Sequence, residues 1–305
     1  MSQLEWRPLL VSDKQLLDRW ARRFGSFAEA TFVTLSLWNP IARCRIASCG
    51  DLVFIEHGGV EGTRVVTPLG GATPAAVSAR VLLDAGYSLR YVPEPTIGYE
   101  SREQWRSLAL NLREEPEEFD YILDLTELAT LQGNRFRGKR KRRNSFERLA
   151  GRPTFQQLDP SRPRVVSEVL GCARTWAAAA PTSASVTSTE IEGLEQLLGG
   201  GYSPHELGIL TFGIYIDDGL VAFCVVETHG TPTVSGVCFK ALRSWSGAAE
   251  YLRSASAVAL LKLGYNRINI QQDLGIEGLR VMKQSYRPCS MHRKWAIDLA
   301  EMTTC

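Results

Sequence analysis

Residues 207–230 read LGILTFGIYIDDGLVAFCVVETHG, two apolar runs around the turn residues Asp217, Asp218 and Gly219. A short turn of this kind between hydrophobic runs is typical of a β-hairpin. The run TPTVSGVCFKA predicts a third strand, and residues 246–264 predict a helix that ends at Gly264. YNRINI then predicts a further strand. This stretch therefore indicates a mixed α/β domain.

The flanking segments of the second half complete the pattern. Residues 163–180 and 188–199 predict two helices before the hairpin, and GIEGLRVMKQSY predicts a helix that Pro288 stops. CSMHRKWAIDL predicts a last strand or a short helix. The resulting order, αα-βββ-α-β-α-β, is that of a GNAT acyltransferase domain.

The first half repeats this pattern loosely. CRIASCG and DLVFIEHGG predict two strands, ATFVTLSLW fits either a helix or a strand, and residues 64–86 predict a strand, a Pro/Gly loop and a helix. SLRYVPEP predicts a further strand, and residues 101–118 predict an acidic helix. Residues 151–164 contain three prolines, which favours a domain boundary there. We expect an α/β fold with mixed sheets in two tandem GNAT-like domains, residues 1–155 and 156–305.

Composition limits the possible functions. A chain of 305 residues with a net charge of +2 suits two soluble domains and excludes a general polyanion binder, unless positive charge clusters locally. No signal peptide and no run of 18 apolar residues is found, so we expect a cytoplasmic protein without a membrane span. The seven cysteines lack a CxxC pair and the four histidines are scattered, which predicts reduced thiols and no structural metal.

One glycine-containing loop is a candidate donor-binding site. In GNAT enzymes a loop of pattern Gln/Arg-x-x-Gly-x-Gly/Ala precedes a helix, and its N–H groups bind the pyrophosphate of acetyl-CoA. The matching segment begins at Ser244 and contains Ser246, Gly247 and Ala248. Ser244 replaces the long polar residue, which favours a donor other than acetyl-CoA. The alternative is an ordinary turn at a helix start, and this is the favoured interpretation of Gly70 and Gly71.

A basic segment runs from Arg135 to Arg148, with eight cations and one carboxylate. Such a density of charge repels itself and suits salt-dependent binding of RNA phosphates. The candidate tRNA contacts are Arg135, Lys139, Arg140, Arg142, Arg143 and Asn144. A solvated helix or linker is the alternative. We expect Phe136 and Phe146 to anchor the segment and its cations to contribute little to folding.

Three longer patterns resemble the phosphatidylglycerol lysyltransferase C-terminal-like family. The first is Gly133-x-x-Phe136-x-x-Lys139-Arg140-x-x-x-Asn144-x-Phe146, and the second is Phe239-Lys240-Ala241 leading to Gly247. The third, and most specific, is DLGIEGLR-x-x-K-x-x-Y-x-P over residues 273–288. A weaker match covers Phe32 to Trp38.

This resemblance implies a tandem-GNAT enzyme that moves an aminoacyl group from aminoacyl-tRNA. Membrane members use a lipid acceptor, whereas soluble relatives in antibiotic pathways use small amines or hydroxylamines. It therefore implies aminoacyl-tRNA as co-substrate, a small-molecule acceptor and no cofactor. The aspartate that lipid-modifying members carry in the third strand falls near Gly236 here, so its catalytic role is not transferred.

The residues of the third pattern supply candidates for the chemistry. An aminoacyl ester needs a cation at the developing oxyanion and a proton for the leaving ribose oxygen. Lys283 and Lys240 are the first candidates for the cation, with Arg280 one helical turn before Lys283. Tyr286 is a candidate proton donor, with packing as its alternative role. Asp273 is expected to cap the helix, and Glu277 is either a base or an exposed helix residue.

Two other functions remain open from the sequence. An acyl-CoA-dependent N-acyltransferase would share the fold, although Ser244 weakens the pyrophosphate loop. A non-catalytic RNA- or lipid-surface-binding protein would use the basic segment alone and would need neither Lys240 nor Lys283.

Overall fold

The computed structural model describes residues 4–42, 44–58, 64–70, 75–98, 100–149, 151, 153–179 and 184–300. Within these ranges the strands are β1 Arg7–Pro8, β2 Arg45–Cys49, β3 Leu52–Gly58, β4 Arg64–Leu69, β5 Ser88–Pro93, β6 Leu110–Glu114, β7 Asp120–Asp124, β8 Thr154–Leu158, β9 Ile209–Ile216, β10 Gly219–Glu227, β11 Thr233–Ala241, β12 Arg267–Asn269, β13 Ser290–His292 and β14 Lys294–Leu299. The α-helices are α1 Lys14–Phe24, α2 Phe32–Ala42, α3 Ala75–Asp84, α4 Glu94–Ile97, α5 Arg102–Ser107, α6 Leu125–Thr130, α7 Arg137–Leu149, α8 Pro163–Ala178, α9 Ala184–Gly199, α10 Ala248–Lys262 and α11 Glu277–Gln284.

The strands form two mixed sheets, which confirms the predicted fold class. The first sheet has the order β1-β2-β3-β4-β5-β14-β6, and the second has the order β13-β7-β12-β11-β10-β9-β8. In each sheet three antiparallel strands precede a helix and a parallel strand: β4 pairs with β5, and β11 pairs with β12. The hairpin around Asp217 is confirmed, with Asp217 itself at φ +50°.

The two sheets exchange one strand each. β14, the last strand of the chain, lies between β5 and β6 of the first sheet, and β7 lies between β12 and β13 of the second. The helices α6 and α7 follow β7 into the second half, where both pack on α10. A cut between residues 155 and 156 would fall within β8 and would not separate the two sheets.

Two layers of helices cover the second sheet. Leu252 and Leu260 of α10 pack on one face, and Val169 and Leu170 of α8 pack on the other. On the α8 face, α9 also crosses α2 of the first half at Gly193, where a Cβ would lie 1.8 Å from the carbonyl oxygen of Leu37. One hydrophobic cluster on this face contains residues of both halves, among them Leu37 and Leu194.

Three local expectations change in the structure. Residues 101–118 are not one helix, because the short helix α5 is followed by β6, which pairs with β14. The stretch ATFVTLSLW, for which helix and strand were both open, enters α2 at Phe32. CSMHRKWAIDL divides at Arg293 into β13 and β14, which belong to different sheets. The long-range pairing of these strands, rather than local propensity, decides their conformation.

Candidate functional site

A cavity opens where β11 and β12 separate. The two strands pair only from Thr233 to Ser235, and a cavity of about 180 Å³ lies beyond that point. Its wall includes Cys238 of β11, which packs toward α8, and Arg253 of α10 on the opposite face. The cavity is therefore lined from both faces of the sheet.

Lys283 of α11 forms part of this cavity wall and is only 7% exposed. Its ammonium donates to the carbonyl oxygens of Ile270 at 2.7 Å and Gln272 at 2.5 Å, just after the end of β12. Burial disfavours the charged amine and lowers the pKa of Lys283 to about 7. These two hydrogen bonds use two of the three N–H donors, which leaves the third for a group in the cavity.

Asp273 is fully buried and organises the segment before α11. It accepts hydrogen bonds from Tyr121 Oη at 2.6 Å, from the Gly275 N–H and from Arg280 in a bidentate ion pair. Burial raises the pKa of Asp273, but the hydrogen bonds from Arg280, Tyr121 and Gly275 outweigh that effect and lower it. The helix N-cap is Ile276, so the expectation that Asp273 caps α11 is wrong.

The other candidates of this pattern lie at separate places. The buried ring of Tyr286 has the ammonium of Lys139 3.5 Å from its centroid, so it has the packing role given above as its alternative. Glu277 is exposed in the first turn of α11. Lys240 points toward α8 and α9, where it pairs with Glu190 at 2.7 Å and lies 4.0 Å from the ring of Trp176. The structure therefore does not bring Lys240 to Lys283.

The two glycine loops are both covered by other groups. Gly247 has φ +93° before α10, and a Cβ there would lie 2.3 Å from the carbonyl oxygen of Arg142 in α7. In the first half, the N–H groups of Ala75 and Ala76 donate to the carboxylate of Glu100 at 3.1 and 2.9 Å. Gly70 lies beside that helix start, whereas Gly71 falls outside the described residues. In the first half a carboxylate of the protein thus occupies the place where an anion would bind, and at Gly247 the backbone of α7 lies against the loop.

Most candidate tRNA contacts of the basic segment are tied to neighbouring groups. Their partners are Glu127 for Arg135, Ser285 for Lys139, the carbonyls of Leu131 and Gly133 for Arg140, Glu250 for Arg142, and Asn144 and Ser254 for Arg143. Of these cations Lys139 is buried, whereas Arg135 and Arg142 keep about half of their side-chain surface exposed despite their partners. Phe136 and Phe146 are buried, as expected for anchors. The exposed cations of α7 are Arg137, Lys141, Arg142 and Arg148, and of these Arg142 pairs with Glu250.

A second, open cavity of about 530 Å³ lies between α7, α10 and α11. Five cations line it, together with Glu250: Arg135, Lys139, Arg142, Arg253 and Arg287. Burial lowers the pKa of Lys139 to about 8. Arg253 and Met282 line both cavities, and the guanidinium of Arg253 lies 3.8 Å from the sulfur of Met282, so these two side chains form the wall between the basic cavity and the narrow one.

The family model for the C-terminal part of phosphatidylglycerol lysyltransferase matches residues 22–297. The chain belongs to this family. Family and fold together support a GNAT-like acyltransferase. No curated protein sequence matches the chain.

Solved structures share the family's fold over nearly the whole chain. A conserved protein of unknown function from Bacteroides thetaiotaomicron is 20% identical with a TM-score of 0.81, over 97% of this chain and 100% of that one. L-PGS from Bacillus licheniformis is 16% identical with a TM-score of 0.63, over 96% and 93%. The C-terminal domain of an Agrobacterium fabrum protein assigned as a lysylphosphatidylglycerol synthetase is 13% identical with a TM-score of 0.62, over 94% and 92%.

None of the helices in the described part of this family member has the length and apolarity that a bilayer crossing requires.

Two features of this family member were not found by sequence reasoning. Arg253 lines both cavities and is a cation in the middle of α10, where its neighbours are mostly small or apolar, and this contrast was the available signal. The side chains of Asp18, Glu227 and His229 lie close enough together to hold an ion. The ammonium of Lys14 already lies 2.8 Å from Asp18 and 3.5 Å from Glu227. The absence of a structural metal stays a prediction.

Proposed function

We propose that the chain transfers an aminoacyl group from aminoacyl-tRNA to a small amine or hydroxylamine acceptor in the cytoplasm. The observation that carries this proposal is that the open basic cavity and the narrow cavity are neighbours, with Arg253 and Met282 lining both. An open basic cavity suits the phosphates at the 3′ end of a tRNA, because cations there displace condensed counterions. The narrow cavity then suits the aminoacyl ester. Aminoacyl-tRNA is the co-substrate and no further cofactor is required.

Lys283 is placed to stabilise the charge that develops during transfer. Two N–H groups hold it to the carbonyls of Ile270 and Gln272, so the third is preoriented before the substrate arrives. A preoriented donor in a site sheltered from water stabilises an oxyanion more than a mobile, solvated one does. In this scheme Arg280 orients the segment through Asp273, and Tyr286 positions Lys139 and Arg253.

Acetyl-CoA is a poorer fit for the donor. Its pyrophosphate would need the N–H groups at the start of α10, where the Arg142 carbonyl contacts Gly247 and the Glu250 carboxylate lies in the first turn. Glu250 adds a carboxylate at this helix start, and Arg142, the neighbouring cation, is already paired with it at 2.7 Å. We therefore expect weak or no binding of acetyl-CoA by calorimetry, and micromolar affinity would instead favour an acyl-CoA-dependent enzyme.

The direct test is single-turnover transfer from charged tRNAs to a panel of amines and hydroxylamines. Lys283→Ala should slow transfer by about 10²–10³, the usual effect of removing one electrostatic contact to an oxyanion. The affinity for tRNA, measured by filter binding, should change by less than about tenfold. Lys283→Arg should restore only part of the rate, because the planar guanidinium is wider than the ammonium it replaces.

Exposed Lys262 of α10 provides the matched control, since Lys262→Ala should change neither quantity. If Lys283→Ala lowers binding and rate in the same proportion, Lys283 binds the donor and is not catalytic. If no charged tRNA supports transfer while tRNA still binds, the chain is a binding protein.

A further inference from the structure

On the face of the second sheet opposite α10, three side chains form a compact cation site. The ammonium of Lys240 lies 2.7 Å from the Glu190 carboxylate and 4.0 Å from the centroid of the Trp176 ring. The side chains of Lys240 and Glu190 are 11% and 15% exposed. We call the ring of Trp176 and the carboxylate of Glu190 the cation seat.

The cation seat adjoins the narrow cavity. Cys238 lines that cavity, and its thiol lies 3.7 Å from Oε1 of Glu190. Cys238 packs with the residues of α8, whereas Arg253 enters the cavity from α10. A ligand in the seat would therefore approach the cavity from the side opposite the basic cavity.

Charge and chemistry identify the kind of ligand that fits. An aromatic face beside a carboxylate is a favourable environment for an ammonium group. The basic cavity on the other face would repel such a group, because cations line it. A buried ion pair contributes little net stability, so packing alone gives weak reason for this arrangement.

We propose that the cation seat binds a protonated amine of the acceptor, in a place that the ammonium of Lys240 occupies in the unliganded protein. This proposal rests on the transferase function above and specifies its acceptor. Because Cys238 separates the seat from the cavity, the seated ammonium is an anchor and not the nucleophile. The acceptor thus carries a second, neutral amine or hydroxylamine nitrogen.

The transfer step balances without any other reactant. The neutral nitrogen attacks the ester carbonyl, a C–N bond forms, and the bond from the carbonyl carbon to the ribose oxygen breaks. One proton leaves the nitrogen and one reaches the ribose oxygen, so the products are an amide or hydroxamate and the free tRNA. The seated ammonium keeps its proton throughout.

The site is tested in the unliganded protein by chemical rescue. Lys240→Met leaves Glu190 without its partner and should lower the melting temperature. Butylammonium and cadaverine chlorides should restore it, whereas butanol and matched sodium chloride should not. The double variant Lys240→Met/Glu190→Gln should not respond to amines.

Lys240→Met also removes the ammonium that competes with a ligand for the cation seat. This variant should therefore bind cadaverine at least about tenfold more tightly than the wild type does. Absence of rescue, or equal rescue by butanol, would show that the three residues form only a structural ion pair.

Transfer assays separate this inference from the proposed function. With charged tRNA, cadaverine should be a better acceptor than butylamine, and Glu190→Gln should raise KM for cadaverine more than it lowers kcat. Amine-selective rescue without any transfer would support the seat and contradict the transferase. Transfer that does not distinguish the two amines, together with absent rescue, would support the transferase and overturn the seat.

Discussion

At the scale of single residues, the spacing of Arg280 and Lys283 predicts the helix that carries them but not the groups that their side chains contact. Arg280 and Lys283 are three residues apart, and the helix expected around them is present as α11. Their side chains nevertheless have different partners: Arg280 reaches Asp273, and Lys283 reaches two backbone carbonyls. The carbonyl of Ile270 is exposed to Lys283 because β12 ends at Asn269, and a linear pattern does not contain that information.

The lowered pKa of Lys283 predicts a pH dependence. Its ammonium is charged below about pH 7 and neutral above it, so an oxyanion contact should weaken as pH rises through about 7. With an acceptor nitrogen that stays neutral across the range, the single-turnover rate should fall over this interval. Lys283→Arg, which remains charged, should move the fall to higher pH. A wild-type rate that increases through pH 7 would instead identify Lys283 as a base.

Replacing Gly247 tests the close packing of α7 against the glycine-containing loop before α10. Gly247→Ala places a Cβ 2.3 Å from the Arg142 carbonyl and keeps an unfavourable φ of +93°. We expect a loss of about 2 kcal/mol or more in the free energy of unfolding measured with urea. Gly138→Ala is the matched control within α7, where a Cβ meets open space and should stabilise by about 0.5–1 kcal/mol. Equal effects of the two substitutions would contradict this packing.

At the scale of elements, α7 carries two classes of cation that the sequence does not distinguish. Replacing Lys139, Arg140, Arg142 and Arg143 together would break contacts to α10 and α11, so folding should suffer. The exposed Arg137, Lys141 and Arg148 avoid this problem. Changing these three to alanine should weaken tRNA binding and reduce the log–log salt slope by roughly 0.7–0.9 per lost phosphate contact.

The matched control for that experiment is the triple alanine variant of Arg162, Arg164 and Arg174, which are exposed at the start of α8 and within it. It removes the same charge elsewhere and should leave the slope nearly unchanged. Both triple variants should melt within a few degrees of wild type, because exposed ion pairs contribute little. If the two slopes decrease equally, α7 is not the tRNA contact.

Local pattern predicts elements well where the chain folds against its sequence neighbours. The hairpin at Asp217, the helix that ends before Gly264 and the order of the second half from α8 to α11 are all present. The pattern fails at residues 101–118, where the acidic composition favours a helix. Glu115 is fully buried there and pairs with Arg90. That contact lies between elements 25 residues apart, so helical propensity cannot reveal it.

At the scale of the whole molecule, an ion cluster joins the two exchanged strands. Lys294 begins β14 and is fully buried, 2.7 Å from Asp120 at the start of β7 and 2.5 Å from Glu29. Burial opposes its charge, but the two carboxylates outweigh this effect and raise the pKa of Lys294. Sequence reasoning predicted two domains and missed this connection. The residue pattern of β7 or β14 indicates a strand but does not specify which of the two sheets the strand joins.

The cluster makes Lys294→Ala a test of the exchange. Removing one partner from a buried ion pair leaves uncompensated charge and typically costs about 3–5 kcal/mol. We expect a loss of this size in urea unfolding, with both halves unfolding in one transition because β14 belongs to the first sheet. Lys262→Ala, at an exposed position, should be nearly neutral. Two separate transitions, of which only one shifts, would contradict the coupling.

The position of β14 also has a consequence for biosynthesis. The first sheet needs Lys294–Leu299 between β5 and β6, yet about 180 residues separate β6 from β14 in the chain. At a translation rate of about 5–20 residues per second, the nascent first half would wait on the order of ten to thirty seconds for its missing strand. During that interval β5 and β6 present unpaired edges, so a ribosome-associated chaperone that shields such edges would raise the yield of folded protein.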